Sequence, residues 1–370
     1  MVLNQLYNKV AELIDLARKK VATAVNLTMV HTYFEIGKMI VEEEQQGKER
    51  AAYGKAVLKT LSLKLTERFG KGFSVDNLQN MRRFFQVYSD RLIYEKPSRK
   101  LQNVNNEIDI NKNISSTIWK QPSANFQNFT LGWSHYLILM RIENPAERSF
   151  YEIEATKENW SEPQLKRQYQ SSLYERLALS RNKEEVLKLA TEGQLLVKPE
   201  DILKNPLSLE FLGIDEKNKY SESDIEQAII NKIQYFLLEL GKGFLFEARQ
   251  KRFTFDNEHF FVDLVFYNRL LQCYILIDLK IDKLTHQDLG QMQMYVNYFD
   301  RYQKQTFEKP SIGILLCKKK NNALVELTLP KDANIHASEY SLYLPDKQLL
   351  QQKLAEWIDE FENSKTENDV

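Results

Sequence analysis

The stretch VDLVFYNRLLQCYILIDLK, residues 262–280, decides how this 370-residue chain is read. Two runs rich in β-branched and aromatic residues flank a short connection at 268–272, the pattern of a β-hairpin. Yet Asp263, Asp278 and Lys280 lie inside those runs. A carboxylate in a buried strand is costly unless it is paired or bound to a cation. Side chains alternate across a strand, so Asp278 and Lys280 point the same way, and a hairpin centred near Leu270 brings Asp263 opposite, or nearly opposite, Asp278.

Two carboxylates held side by side repel unless a cation sits between them. Hard oxygen donors of this kind favour Mg²⁺ or Mn²⁺ over zinc. Such an ion polarises a phosphoryl oxygen and lowers the pKa of a bound water, and a lysine one step along can orient that water or offset developing charge. The set reads as a phosphodiester-hydrolysis site. An isolated Asp-x-Lys is equally an ion pair at a strand end. The order Asp, a hairpin, Asp-Leu-Lys, with an acid-bearing helix before it and a Gln-bearing helix after it, is what separates the two readings.

Helix DIEQAIINKIQYFLLEL precedes this hairpin, and helix QDLGQMQMYVNYFDRY and strand SIGILLC follow it, which makes an α/β core. The first 90 residues read as helices. Val10, Leu13, Ile14 and Ala17 share a face; Leu58, Leu61 and Leu65 form an apolar seam ending at Gly70-Lys71-Gly72. Ser74 then caps a second helix whose Val75, Leu78, Met81 and Phe85 face inward. Helix, glycine turn and capped helix is the outline of a helix-turn-helix near 58–88. Over 55–88, seven Lys and Arg residues stand against two acids. Lys71, Asn77, Asn80, Arg82 and Arg83 are the residues placed to touch base edges or phosphates, if this is more than a helical hairpin with a solvated basic face.

Residues near 95–127 are rich in Asn, Ser and Lys without sustained period and read as a loop insertion. The domains expected are therefore 1–183, helical; 184–350, the α/β core; and 351–370, an acidic helix or tail. Lys and Arg number 51 and so do Asp and Glu, so only local patches speak for nucleic acid. Cys273 and Cys317 sit in apolar runs with no CxxC or Cys/His cluster, against structural zinc and disulfide stapling. No run approaches the ~20 apolar residues of a membrane span, and the N-terminus lacks a signal-peptide core. The expectation is a cytoplasmic protein without a membrane partner.

At this point the residues resemble a known family. Asp263 and Asp278-Leu279-Lys280 match the PD-(D/E)xK nuclease superfamily, with its restriction-endonuclease-like fold of a mixed sheet flanked by helices. FLLELGKGFLFEARQ, the hairpin and GQMQMYVNYFDR resemble the C-terminal domain of the YhcG family. LTERFGKGFSVDNLQNMRRFFQVY and WSHYLILMRIENPAERSFYEIEATKENWS resemble its N-terminal domain. The likeness covers about residues 5–90 and 128–345.

The resemblance implies metal-dependent DNA cleavage, with Asp263, Asp278 and Glu239 as metal ligands, Lys280 as catalytic lysine, and Gln250 and Gln291 lining the site. Double-strand cutting by such a site favours a homodimer. Two departures stand out: the family usually has Glu where Asp278 stands, and Gln287 replaces an acid found in many relatives. The alternative implied is a nuclease fold with weak or absent catalysis, serving DNA binding or complex assembly.

Overall fold

The computed structural model describes residues 2–46, 51–89, 129–180, 183–204, 206–214, 220–320, 322–330 and 333–356. The insertion read near 95–127 and residues 357–370 of the acidic tail lie outside them. The chain folds as two compact units, Met1–Asn144 and Pro145–Val370. The helical domain expected over 1–183 spans the first unit and the opening helices of the second. No helix is long and apolar enough to cross a membrane among the described residues.

The first unit is helical: α1 (Val2–Gln46), α2 (Ala51–Phe69), α3 (Val75–Tyr88) and α4 (Trp133–Leu139). Ser74 caps α3, its side chain accepting from the Asn77 amide at 3.2 Å. The buried stripe of α3 is Leu78, Met81, Phe84 and Tyr88. Phe84 rather than Phe85 therefore fills the core, with Phe34, Phe129 and Tyr136 at 5.6, 4.9 and 5.0 Å between ring centroids.

Two of the residues expected to reach DNA are committed elsewhere. Asn77 donates to the Gly72 carbonyl at 2.6 Å and accepts from the Trp133 indole at 3.1 Å, bracing the glycine turn. Arg82 is ion-paired with Glu44 of α1 at 2.9 Å. Asn80 is half-buried, while Lys71 and Arg83 are exposed or partly so.

The second unit begins with helices α5 (Pro145–Lys157), α6 (Glu162–Gln170), α7 (Leu173–Ala178) and α8 (Lys183–Glu192), then the short strand β1 (Leu207–Ser208). Helices α9 (Glu222–Asn231) and α10 (Ile233–Leu240) lead into β2 (Phe244–Phe255), β3 (Glu258–Asn268) and β4 (Cys273–Lys283). Helix α11 (His286–Tyr298), β5 (Ile312–Lys319), α12 (Asn322–Thr328) and β6 (Ile335–Ser341) complete it. The sheet order is β1-β6-β5-β4-β3-β2. The β2/β3 and β3/β4 pairs are antiparallel, and β4/β5, β5/β6 and β1/β6 are parallel, so the sheet is mixed, as expected.

Helices cover both faces. Ile225, Ile229, Phe236 and Leu240 of α9 and α10 pack on Leu264, Phe266, Ile275 and Ile277. Leu289, Met292, Tyr295 and Val296 of α11 pack on Val265, Leu276 and Leu315 from the other side. Gly313 of β5 lets α11 come close: a Cβ there would lie 2.6 Å from Met292 Cγ. Cys273 and Cys317 are buried and free, their thiols pushed up to about 11 by burial, which suits packing rather than chemistry.

Glu239 was expected at the site; the structure puts it elsewhere. Its carboxylate is fully buried on α10 and held by Arg176 at 2.5 Å and Arg167 at 2.8 Å. The Ser208 backbone N–H donates to it at 3.0 Å, and the buried Lys204 ammonium donates to its own carbonyl. Burial alone would raise its pKa, but Arg176, Arg167 and Lys204 outweigh that and bring it down to about 2. Both arginines come from α6 and α7, so these helices are pinned to the sheet's layer by charge. Helix α5 is tied to the same unit by its own acids, Glu154 pairing with Lys242 at 2.9 Å and Glu147 with Lys347.

Removing one member of such a buried cluster leaves uncompensated charge. Glu239→Ala should therefore lower stability to chemical denaturants by about 3–5 kcal/mol. A carboxyl depressed in the fold contributes stability above its unfolded pKa and loses it on acidification. The wild-type chain should accordingly weaken as pH falls from about 4.5 towards 2, a decline that the variant lacks. Equal denaturation midpoints for the two proteins would contradict this account.

Candidate active site

The acid pair sits where two strands part. The β3/β4 ladder runs from Asn268–Cys273 to Leu264–Ile277, and the next pair in the same register is Asp263 and Asp278. In place of a further backbone pairing, the Asp263 Oδ2 accepts from the Leu279 N–H at 2.9 Å. The carboxylate thus satisfies a backbone donor that the fork would leave bare. Asp278 and Lys280 project together as the strand's alternation requires, with Lys280 Nζ 2.9 Å from Asp278 Oδ2. Glu222 of α9 and Asp288 of α11 stand farther from the same ammonium, at 3.8 and 3.9 Å.

Electrostatics follow from this packing. Asp278 is 3% exposed. Burial first, and the charge of Asp263 second, push its pKa up to about 7 against the pull of Lys280. Burial would lower the Lys280 pKa, but Asp278, then Glu222 and Asp288, outweigh it, and the amine is held protonated. Two acids pressed together with one of them reluctant to ionise form a place where a cation can take over the role of a proton. Mg²⁺ is commonly held by only one or two carboxylates, the rest of its shell being water and substrate phosphate. Asp263 and Asp278 fit that demand. No group of three or more His, Cys, Asp or Glu side chains forms a metal cage among the described residues.

Gln250, expected near the acids, is hydrogen-bonded to one of them. Its Nε2 donates to Asp263 Oδ1 at 2.9 Å and to Glu226 Oε2 at 2.6 Å. It holds this position in the left-handed region, φ +47°, a few residues beyond a register shift between Phe246 and Ala248 of β2. A non-glycine residue in that conformation is uncommon and clusters at functional sites. Glu226 is buried on α9 and is also bonded by Arg249 Nε. Of the acids on the preceding helices, Glu222 and Glu226 of α9 stand beside this group, whereas Glu239 is bound by Arg176 and Arg167.

Gln291, the other predicted liner, is on α11 and donates to the Tyr295 hydroxyl. Tyr295 is buried, and burial followed by the charge of Asp278 pushes its phenol up to about 12. The phenol therefore faces the acid pair. The sequence reading missed Tyr295 and Glu226. Tyr295 has the spacing of a core residue and is one. For Glu226 a usable signal existed: Ser221 and Asp224 make a capping box, which places Glu226 near the start of the helix. The helix then ends at Lys232, with φ −124°, and restarts as α10, so that Glu239 lies on a different rod.

Comparisons with known proteins identify the family of this chain. Residues 200–355 match the family model described as the YhcG PDDEXK nuclease domain, and residues 9–176 match the DUF1016 N-terminal domain. The chain is 38% identical over 352 residues to the Escherichia coli (strain K12) protein named "Putative nuclease YhcG", covering 95% of this chain and 93% of that one. A crystal structure of a repair endonuclease from Pyrococcus abyssi aligns at 17% identity over 36% of this chain and 50% of that chain. Its TM-score of 0.23 is too low to establish a shared fold.

A buried acid with a raised pKa favours the fold while protonated and opposes it once ionised. Its contribution is therefore lost as pH rises from about 3.8 through about 7. In metal-free buffer, Asp278→Asn should raise the stability at pH 8, by an amount on the order of 1–3 kcal/mol, and change it little at pH 4. An Asp278→Asn variant less stable than the wild type at pH 8 would mean that the two acids do not oppose each other.

Proposed function

The chain belongs to the YhcG family, whose C-terminal module is a PDDEXK nuclease domain, and from that premise we propose that it is a divalent-metal-dependent endonuclease hydrolysing phosphodiester bonds in DNA. The observation that carries the proposal is the pair Asp263 and Asp278 facing each other at the strand fork, with Lys280 2.9 Å from the second. Mg²⁺ or Mn²⁺ held by Asp263 and Asp278 would neutralise the pair, polarise a phosphoryl oxygen and supply a water of lowered pKa.

The protein's own groups divide the remaining work. Lys280, held protonated, sets a positive charge where a phosphodiester gains negative charge on attack. Asp263 is fixed from two sides, by the Leu279 N–H and by the Gln250 amide. Gln250 is in turn held by Glu226, so Glu226 acts on the acid pair through it. Gln291 and Tyr295 form the wall on the α11 side. In the helical unit, the exposed Lys71 and Arg83 and the half-buried Asn80 are the residues offered to the DNA backbone, while Asn77 and Arg82 support the scaffold. One such site severs one strand, and duplex cleavage then calls for a homodimer or for two encounters. A nuclease fold retired to DNA binding or complex assembly would have no use for two opposed acids in its core, which favours the enzyme.

Purified protein incubated with plasmid DNA should cleave it with Mg²⁺ or Mn²⁺ and not in excess chelator. Asp278→Ala and Lys280→Ala should each lower the rate on the order of 10²–10³-fold. Glu226→Gln should cost about 10-fold or more through the misplacement of Gln250 and Asp263. Cleavage that survives in Asp278→Ala would end the proposal, and DNA binding without cleavage under either metal would support the retired fold. Separately, Lys71→Ala and Arg83→Ala should weaken binding about equally for all DNA sequences and flatten its salt dependence by about one unit of slope each. Asn77→Ala should instead lower the melting temperature of the helical unit.

A further inference from the structure

Beyond the acid pair, β2 and α11 continue side by side and open a second feature. A cleft of about 350 Å³ lies between them, lined among others by Phe255, Gly290, Gln293, Tyr298 and Tyr302. Three features of this cleft bear on what it could hold.

The first is a ladder of rings. Phe253 stacks on Phe260 at 5.4 Å and on Tyr298 at 4.0 Å, the latter pair only 16° from parallel, and Tyr298 contacts Tyr302 at 5.3 Å. The ladder is buried at Phe253 and open at its outer end, where Tyr302 is 62% and Phe255 58% exposed. Tyr302 is carried on a π-helical turn, Phe299–Gln303, an irregularity common at functional sites. Two bare aromatic side chains beside a row of rings offer flat apolar faces with nothing yet on them.

The second is Gly290, in the second turn of α11. Glycine inside a helix costs about 0.5–1 kcal/mol relative to alanine. Here no tight packing requires it, since a Cβ built on Gly290 meets no atom within 4 Å outside the helix's own neighbouring backbone. What its bareness does is leave the cleft open.

The third is an unmet hydrogen bond. Gln293 donates through Nε2 to Asn297 Oδ1 at 3.2 Å, while its Oε1 is buried without a partner among the described residues. A buried acceptor left unpaired is unfavourable, and a turn of the amide into the cleft would satisfy it against a bound donor.

The cleft adjoins the proposed site. Phe253 lies three residues beyond Gln250 on β2 and meets Tyr295 edge-on, at 5.6 Å and 87°. Gly290 is next to Gln291. Stacking faces with an amide edge and no rigid complement to a paired duplex are what an unpaired base requires.

We propose that this cleft receives one unpaired DNA base close to the phosphate being cut, stacked on Tyr302 and Phe255 and bonded at its edge by Gln293 and Asn297. The assignment rests on the nuclease reading above and narrows it: the preferred substrate is single-stranded or branched DNA rather than continuous duplex. A base already unpaired is spared the unstacking that a flipped base incurs.

The test uses full-length protein in chelator, with fluorescently labelled single-stranded, forked and blunt duplex oligonucleotides of equal length. Tyr302→Ala and Phe255→Ala should each weaken single-strand and fork binding about tenfold, the loss expected of one base stack, and leave duplex binding unchanged. Gly290→Leu should weaken the same two DNAs while its melting temperature stays at or above the wild-type value, since the new side chain enters open space on a helix. Equal losses for duplex and fork, or wild-type fork affinity in all three variants, overturns the assignment. Should the three variants bind fork like the wild type while the wild type still shows metal-dependent cleavage, the cleft assignment alone fails. Should the wild type bind none of the DNAs, the nuclease reading fails with it. Tighter cleft-dependent binding of a single-stranded RNA of the same sequence would overturn DNA as the occupant.

Discussion

The repulsion between Asp263 and Asp278 is the constraint around which the rest of the second unit is arranged. A sheet could have continued its β3/β4 ladder past Leu264–Ile277. Instead the strands part, and a carboxylate replaces the backbone acceptor for Leu279. Neighbouring groups then each answer the concentrated negative charge. Lys280 partners Asp278 directly, and Gln250, held in a left-handed conformation, donates to Asp263. Glu226 secures Gln250 from behind. The hydrophobic layers on either face, from α9–α10 and from α11, keep these polar groups in fixed positions and limit water around them.

Charge is used in a second, contrasting way some distance along the chain. Around Glu239 the positive groups outnumber the negative ones, and the carboxyl is brought down to about 2 despite complete burial. Around Asp278 the acids outnumber the bases and the carboxyl rises to about 7. Both residues are acids enclosed by apolar elements, and neither burial nor residue type distinguishes them. What does is the balance of charge around each: three cations surround Glu239, whereas beside Asp278 a single lysine is set against a second acid. Perturbed carboxyls of this kind cluster at functional sites.

Much of this was legible in the sequence, and the reasons are specific. The hairpin register followed from strand alternation and a short connection, so Asp263, Asp278 and Lys280 could be brought together before any coordinates. Ser74 and the glycine turn announced α3, and the mixed sheet flanked by helices followed from the order of apolar runs. Glu239 was read as adjoining the acid pair because DIEQAIINKIQYFLLEL reads as one continuous rod; it breaks at Lys232 without a glycine or proline to mark it. Asn77 was read on the outer side of α3 and Arg82 as part of a local basic excess, whereas Trp133 and Glu44, distant in sequence, engage them.

Those two arginines bear on how proteins of this kind can be recombined. The two family matches part between residues 176 and 200, so Arg167 and Arg176 fall in one match and Glu239 in the other. A border drawn by ancestry thus runs through a closed electrostatic circuit. Grafting the C-terminal module onto a foreign partner would strand an anion in an oily interior unless matching cations arrive with it. Chimeras joined at Asn144/Pro145 instead leave that circuit whole, and inheritance of the module is expected to carry helices α5 to α8 along as obligatory baggage.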